Sequence, residues 1–146
     1  MFRLGFVGTG TIVAAIIDGL EEMRGERCRI LVSPRSEGVS RALAARYSNV
    51  ERAASNAAVV EGSDVVFLGM RPSQLAEVVA GLPFRADQTV VSLLGGVSRA
   101  GVAQKVAPAT RIVRCIPLPT IRLHKGPIAL QPPDPLVEEL LGGLGE

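Results

Sequence analysis

The 146-residue sequence predicts a doubly wound α/β domain, in which helices cover both faces of a mainly parallel sheet. Short β-rich runs alternate with helical stretches, which is typical of βαβ units. Aromatic residues make up only 3% of the chain, so its core consists of Val, Leu, Ile and Ala, as expected for a covered parallel sheet. The first predicted strand ends in a glycine-containing turn that opens directly into a helix.

The order of these elements follows from apolar periodicity and from the residues that punctuate it. The predicted strands are residues 2–7, 29–32, a short edge strand within 49–53, and then 64–70, 89–96 with its turn, 110–117 and 126–130. The predicted helices are residues 11–23, 39–47 after a loop over 33–38, 56–60, 73–80, 98–106 and a last one from Asp134 to the end.

The composition indicates one globular domain of 47% hydrophobic and 21% charged residues. The net charge of +2 is too small to favour nucleic acid or a membrane surface. No apolar run approaches the roughly 20 residues of a membrane-spanning helix, and no signal-peptide pattern is visible. Cys28 and Cys115 belong to no CxxC pair, so we expect buried free thiols rather than a zinc or redox site. We therefore expect a soluble protein of the cytoplasm.

The stretch "FVGTGTIVAAII" (residues 6–17) predicts a Rossmann-type phosphate-binding turn. In such a turn Gly8 allows the tight bend, Gly10 lets the backbone approach a pyrophosphate, and the helix N-terminus faces the phosphate. The third small residue of the motif falls at Val13, which is bulkier, so Ala14 and Ala15 are the candidates for close helix–strand packing. The alternative is a strand-to-helix turn that holds no ligand.

The loop after the second strand favours NADP over NAD. NAD sites place a carboxylate there for the ribose 2′-hydroxyl, whereas this loop reads Ser33, Pro34, Arg35 and Ser36 before its first carboxylate. An arginine between two serines can bind a 2′-phosphate through charge-assisted hydrogen bonds. The alternative is a solvated loop with an ordinary surface arginine.

Three later strand ends are rich in Gly and Pro, as expected where a backbone closely approaches a ligand. They read "GMRPSQ" (69–74), "LLGGVS" (93–98) and "RCIPLPT" (114–120), although Gly and Pro are common in any loop. Asp18 is assigned to a solvated helix face and His124 to the surface, while Arg114 is left open between a substrate carboxylate and a salt bridge. No catalytic residue and no metal ligand is predicted.

Four stretches, in the right order, resemble the pyrroline-5-carboxylate reductase family over nearly the whole chain. "LGFVGTGTIVAAII" is similar to its N-terminal cofactor motif, and "DVVFLGMRPSQLAEVV" to its strand and Lys-Pro-Gln turn, with Arg71 at the Lys position. "VVSLLGGVS" resembles its Ser-x-x-Ala-Gly segment, with Gly95 at the Ala position. "RIVRCIPLPTIRLHKGPIAL" resembles its Arg-x-Met-Pro-Asn-x-Pro segment, with Leu118 at the Asn position.

The resemblance implies an NADP(H)-binding domain that delivers hydride to the C=N bond of a small cyclic imino acid, pyrroline-5-carboxylate, making proline. It also implies the cofactor contacts. Gly8, Gly10, Thr11 and Ile12 would lie at the pyrophosphate, Ser33, Arg35 and Ser36 at the 2′-phosphate, and Asn56 near the adenosine ribose. Met70, Arg71 and Pro72 would line the nicotinamide side, with Gly95, Gly96 and Pro117 nearby.

Members of that family carry a second, helical domain that forms the dimer and completes the substrate pocket. We therefore expect residues 1–146 to be the nucleotide domain without its last strand, and a homo-oligomer to form through the absent domain. This chain alone is expected to turn over slowly or not at all. Two alternatives stay open. The altered "IPLPT" segment, with Leu118 in place of a hydrogen-bonding Asn, motivates a related reductase for another imine, a carbonyl or a deazaflavin such as F420. The absence of the second domain motivates a catalytically silent NADP-binding module.

Overall fold

The computed structural model describes residues 2–8, 11–24, 28–34, 37–94, 96–115 and 130–131. Within these ranges seven strands form one sheet in the order β3-β2-β1-β4-β5-β6-β7. The strands are β1 Phe2–Val7, β2 Cys28–Val32, β3 Val50–Arg52, β4 Val65–Leu68, β5 Thr89–Ser92, β6 Arg111–Cys115 and β7 Leu130–Gln131. All pairs from β3 to β6 are parallel, and β7 runs antiparallel to β6.

Five helices connect the strands of the described ranges. They are α1 Thr11–Arg24, α2 Glu37–Arg46, α3 Asn56–Glu61, α4 Leu75–Val79, which follows a 3₁₀ turn at Pro72–Gln74, and α5 Arg99–Lys105. The strand order 3-2-1-4-5-6 is that of the doubly wound, Rossmann-type fold, so the predicted fold class is confirmed. The strand predicted to begin at residue 126 and the helix from Asp134 lie mostly or wholly outside the described residues.

The core consists of two apolar clusters, one on each face of the sheet, because successive strand residues point to opposite sides. The first cluster packs the strands against α1 and α2, and contains Phe6 and Phe67 with their rings stacked 4.5 Å apart. The second packs the strands against α3, α4 and α5. Helices therefore cover both faces, as predicted.

Side chains that precede β5 fix the C-terminal end of α3, at the edge of the sheet where the strands begin. Gln88, which is 1% exposed, donates through Nε2 to the carbonyls of Val60 (2.7 Å) and Ser63 (2.9 Å). Arg85 donates to the carbonyls of Glu61 and Ser63, both at 3.0 Å. The bonds to Val60 and Glu61 satisfy carbonyls of the last turn of α3, which a helix end leaves without an intrahelical partner, and the bonds to Ser63 fix the loop that follows.

Asp18 corrects one sequence-based prediction, because its side chain is only 15% exposed rather than solvated. It accepts hydrogen bonds from the phenol of Tyr47 at 2.5 Å and from Nη1 of Arg46 at 3.2 Å, and so links α1 to the end of α2. Burial and the neighbouring Asp18 raise the pKa of Tyr47 to about 12.

The predicted burial of a free thiol is confirmed at Cys115, where burial raises the pKa to about 12. The corresponding prediction for the side chain of Cys28 lies outside what the structure describes. No helix in the described part of the chain has the length and apolar character needed to cross a bilayer.

Candidate cofactor site at the carboxyl ends of the strands

The candidate site lies where the order of the strands reverses. The central strand β1 pairs with β2 on one side and with β4 on the other, so the connections from β1 and from β3 leave the sheet in opposite directions. In open α/β sheets this reversal opens a crevice at the carboxyl ends of the strands, where ligands bind. The predicted site residues that the structure describes lie along this edge, after β1 to β5.

Gly8, directly after β1, has a backbone conformation and surroundings that require glycine. Its φ is +89°, and a Cβ atom there would lie 2.9 Å from the backbone carbon of Gly69 and from the backbone nitrogen of Met70. The turn after β1 therefore lies directly against the turn after β4. Gly10, the second glycine of the motif, lies outside the described residues.

Val13 replaces the third small residue of the glycine motif, and Gly69 provides the space for it. Val13 is 1% exposed, and a Cβ atom on Gly69 would overlap its Cγ2. A small residue at the end of β4 thus gives Val13 the space that close helix–strand packing requires, while Ala15 of α1 is buried in the first cluster as well. The motif keeps its close packing with the sizes of the two partners exchanged.

Ser33, directly after β2, connects the ends of β1 and β2. It is fully buried, its Oγ accepts a hydrogen bond from the backbone N–H of Gly8 at 3.0 Å, and its own backbone N–H donates to the carbonyl of Phe6 at 3.0 Å. Ser33 therefore fixes the glycine turn, and its contact with a 2′-phosphate stays a prediction. Arg35 and Ser36 lie outside the described residues.

Asn56, the first residue of α3, carries a buried oxygen that no donor in the described ranges reaches. The preceding Ser55 caps the helix, with its Oγ accepting from the N–H of Ala58 at 3.1 Å, while Oδ1 of Asn56 is buried without a hydrogen bond. A buried acceptor without a donor is costly. A ribose hydroxyl would supply the missing donor, which fits the role predicted for this residue.

The ends of β4 and β5 form the other half of the edge. Met70 is half-buried against the second apolar cluster, whereas Arg71 and Pro72 are exposed. The backbone N–H of Gln74 donates to the carbonyl of Arg71 at 2.9 Å and closes the turn. Gly96 is exposed with a φ of +79°.

The remaining predicted residues are only partly described or not described. Thr11 and Ile12 form the first turn of α1, and their side chains are not described. Gly95 and Pro117 lie outside the described residues, as do Leu118 and His124.

Sequence reasoning missed Arg52, the last residue of β3. Its Nε donates to Oγ of Ser40 at 3.0 Å, and its Nη2 donates to the carbonyl of Pro34 at 3.1 Å. Arg52 thereby joins the loop after β2 to α2. The only sequence signal for this role is an arginine at the end of a short edge strand, which no motif distinguishes from a surface charge.

A glycine turn between the central strand and the first helix, at the reversal of strand order, defines a dinucleotide-binding class of domain. The model of the family described as NADP oxidoreductase, coenzyme F420-dependent, matches residues 3–96, and the chain belongs to this family.

Comparison with individual proteins confirms the resemblance to pyrroline-5-carboxylate reductases. The Pseudomonas aeruginosa enzyme of that name is 29% identical over 127 residues, which cover 85% of this chain and 46% of the relative. The chain thus spans about half the length of the curated relatives it matches.

Two solved structures share the fold over 99% of this chain. The 1-pyrroline-5-carboxylate reductase of Streptococcus pyogenes has a TM-score of 0.83 and 23% identity, and the match covers 56% of it. The Plasmodium falciparum pyrroline carboxylate reductase, solved with NADP bound, has a TM-score of 0.81 and 15% identity, with 55% covered. The prediction of NADP(H) as the cofactor is confirmed at the level of the family, whose description names NADP.

Proposed function

We propose that this chain forms the NADP(H)-binding part of a reductase that transfers hydride to the C=N bond of pyrroline-5-carboxylate, giving proline. The observation that carries the proposal is the similarity to enzymes of that name over 85% of the chain. Because the chain spans about half of those relatives, a helical domain that completes the substrate pocket and forms a homo-oligomer belongs to the proposal.

The described residues fit a dinucleotide along the carboxyl edge. The pyrophosphate would lie at the turn of Gly8 and the first turn of α1, where backbone N–H groups and the helix dipole favour an anion. Asn56 would accept a hydrogen bond from the adenosine ribose through its buried Oδ1. The 2′-phosphate would lie over the loop after β2.

The bound nicotinamide would supply the hydride, and the protein would supply orientation. Met70, Arg71 and Pro72 would bound one side of the nicotinamide crevice and Gly96 another. Holding the ring and the imine in line can lower a barrier by up to roughly 7–11 kcal/mol. No residue of this chain is proposed as the proton donor, so the chain alone is expected to turn over slowly or not at all.

Titration with NADPH and separately with NADH, followed by nicotinamide fluorescence, tests the cofactor half of the proposal. We expect NADPH to bind at least ten times more tightly than NADH, because the 2′-phosphate accepts charge-assisted hydrogen bonds that a ribose hydroxyl does not. Arg35→Ala should abolish this preference, whereas Arg29→Ala, an exposed arginine near the start of β2, should not. Equal affinity for both nucleotides, or no binding, would contradict the proposal.

A reduction assay with the full-length gene product tests the substrate half. We expect faster NADPH oxidation with pyrroline-5-carboxylate than with acyclic imines or ketones. The family description, which names coenzyme F420, favours a second candidate: hydride transfer between a deazaflavin and NADP. Turnover with F420 but not with pyrroline-5-carboxylate would select this candidate. Tight NADPH binding without turnover of any of these substrates would instead indicate a silent NADP-binding module.

A further inference from the structure

Arg52 lies beside the loop that follows β2. It ends β3, where it stands opposite Val32 in the parallel pairing, and the N–H of the next residue, Ala53, donates to the carbonyl of Val32 at 2.9 Å. The edge strand β3 therefore places a guanidinium group one strand away from the loop that carries Ser33 and Pro34. This loop is where a Rossmann-type domain recognises the adenosine ribose and its substituent.

The two hydrogen bonds of Arg52 attach that loop to β3 and α2. Nη2 donates to the carbonyl of Pro34 at 3.1 Å, and Nε donates to Oγ of Ser40, a fully buried side chain of α2. Pro34 follows Ser33, whose own hydroxyl accepts from the N–H of Gly8. Arg52 is thus connected to the glycine turn by one hydrogen bond to Pro34, the peptide bond between Pro34 and Ser33, and one hydrogen bond between Ser33 and Gly8.

The charge of Arg52 is not neutralised by any carboxylate in the described ranges. Both groups that it contacts are neutral, and its side chain is half-buried. A partly buried cation is costly unless an anion compensates it. An arginine held this way, with Nη1 engaged by no described group, is suited to interact with a phosphate.

The geometry points to Arg52 as a residue that determines the preference for NADP(H): it holds the loop after β2 in place and adds positive charge beneath the 2′-phosphate. This inference rests on the proposed function. The loop sequence alone indicates a set of residues for binding the 2′-phosphate, and the inference adds the guanidinium of Arg52 on β3 to that set. Its role is one of positioning and of charge, without a part in hydride transfer.

The probes are adenosine 2′,5′-bisphosphate and 5′-AMP, which differ only in the 2′-phosphate, with NADPH and NADH as a second pair. Arg52→Met removes the charge and both hydrogen bonds at similar volume. We expect it to weaken binding of the bisphosphate and of NADPH by roughly 10- to 100-fold, as for loss of a charged hydrogen bond. Binding of 5′-AMP and NADH should change by less than about threefold. Arg52→Lys, which keeps the charge, should lie between the wild type and Arg52→Met.

Arg85→Met is the matched control, because Arg85 is also half-buried and donates to backbone carbonyls, but at the opposite edge of the sheet. Arg85→Met should leave unchanged the ratio of the affinities for the ligand with and the ligand without a 2′-phosphate. The melting temperature of each variant is measured as well, to show that it is folded. An unchanged ratio in Arg52→Met, or an equal loss for both ligands of a pair, would overturn the inference while the proposed function stands. A wild-type chain that binds neither NADPH nor the bisphosphate would overturn both.

Discussion

Val13 on α1 packs into the space that the missing side chain of Gly69 leaves at the end of β4. Gly69→Ala should therefore destabilise the chain by about 1–3 kcal/mol, the usual range for overpacking a well-packed core. Urea unfolding measures the loss, and the double variant with Val13→Ala should lose less than the sum of the two single variants. Gly38→Ala is the control, because a Cβ there meets no atom within 4 Å. Strict additivity would show that Val13 and Gly69 do not compete for space.

Gly8→Ala should lower the free energy of unfolding by more than the positive φ of this residue alone explains. Gly81 provides the comparison, since its φ of +75° is similar but a Cβ there meets nothing within 4 Å. We expect Gly81→Ala to cost about 1–2 kcal/mol, the strain of a left-handed residue. Gly8→Ala adds the overlap with the backbone of Gly69 and Met70 to that strain. Equal free energies of unfolding for the two variants would refute the close approach of the two turns.

Gln88→Ala should destabilise the chain by about 1–3 kcal/mol, because the carbonyls of Val60 and Ser63 lose a buried donor. The exposed Gln104, on α5, is the control, and its alanine variant should unfold at nearly the wild-type denaturant concentration. Thermal and urea unfolding both report the difference. A loss no larger than that of Gln104→Ala would mean that water replaces the amide of Gln88.

The titration of Tyr47 can be followed directly, since the chain has one tyrosine and no tryptophan. Near-ultraviolet absorbance of the folded chain should show a pKa of about 12. The chain in denaturant should show the ordinary value of about 10. The raised pKa means that the folded chain favours the neutral phenol. The contribution of Tyr47 to the free energy of unfolding is therefore fully present below pH about 10 and is lost as the pH rises through the folded pKa.

Asp18→Asn should lower the pKa of Tyr47 but not return it to the ordinary value, because burial, the largest single cause of the raised pKa, remains. Asp87→Asn, at an exposed carboxylate, serves as the control. A wild-type titration at the ordinary value would mean that the phenol is solvated and does not donate to Asp18.

Much of the architecture could be predicted from local patterns, while the contacts that define the site could not. The apolar runs around Phe67 and Val91 identified buried strands, and Gly8 marked the turn after the first. The exchange of sizes between Val13 and Gly69 depends on how α1 lies across the sheet, which no local pattern contains. The same holds for Asp18, whose partner Tyr47 belongs to another helix, and this is why its solvation was predicted wrongly.

The pairing of β1 with β4 also bears on how the chain folds, because it joins distant parts of the sequence. Arg3 and Asp64, which bond to each other beside this pair, are 61 positions apart, so the two strands meet only after a long loop closes. Closing it costs chain entropy before any contact compensates, so we expect this pairing to form more slowly than local contacts do. The crevice at the strand reversal does not exist until that step is complete. A nucleotide that binds there would therefore slow unfolding without speeding folding.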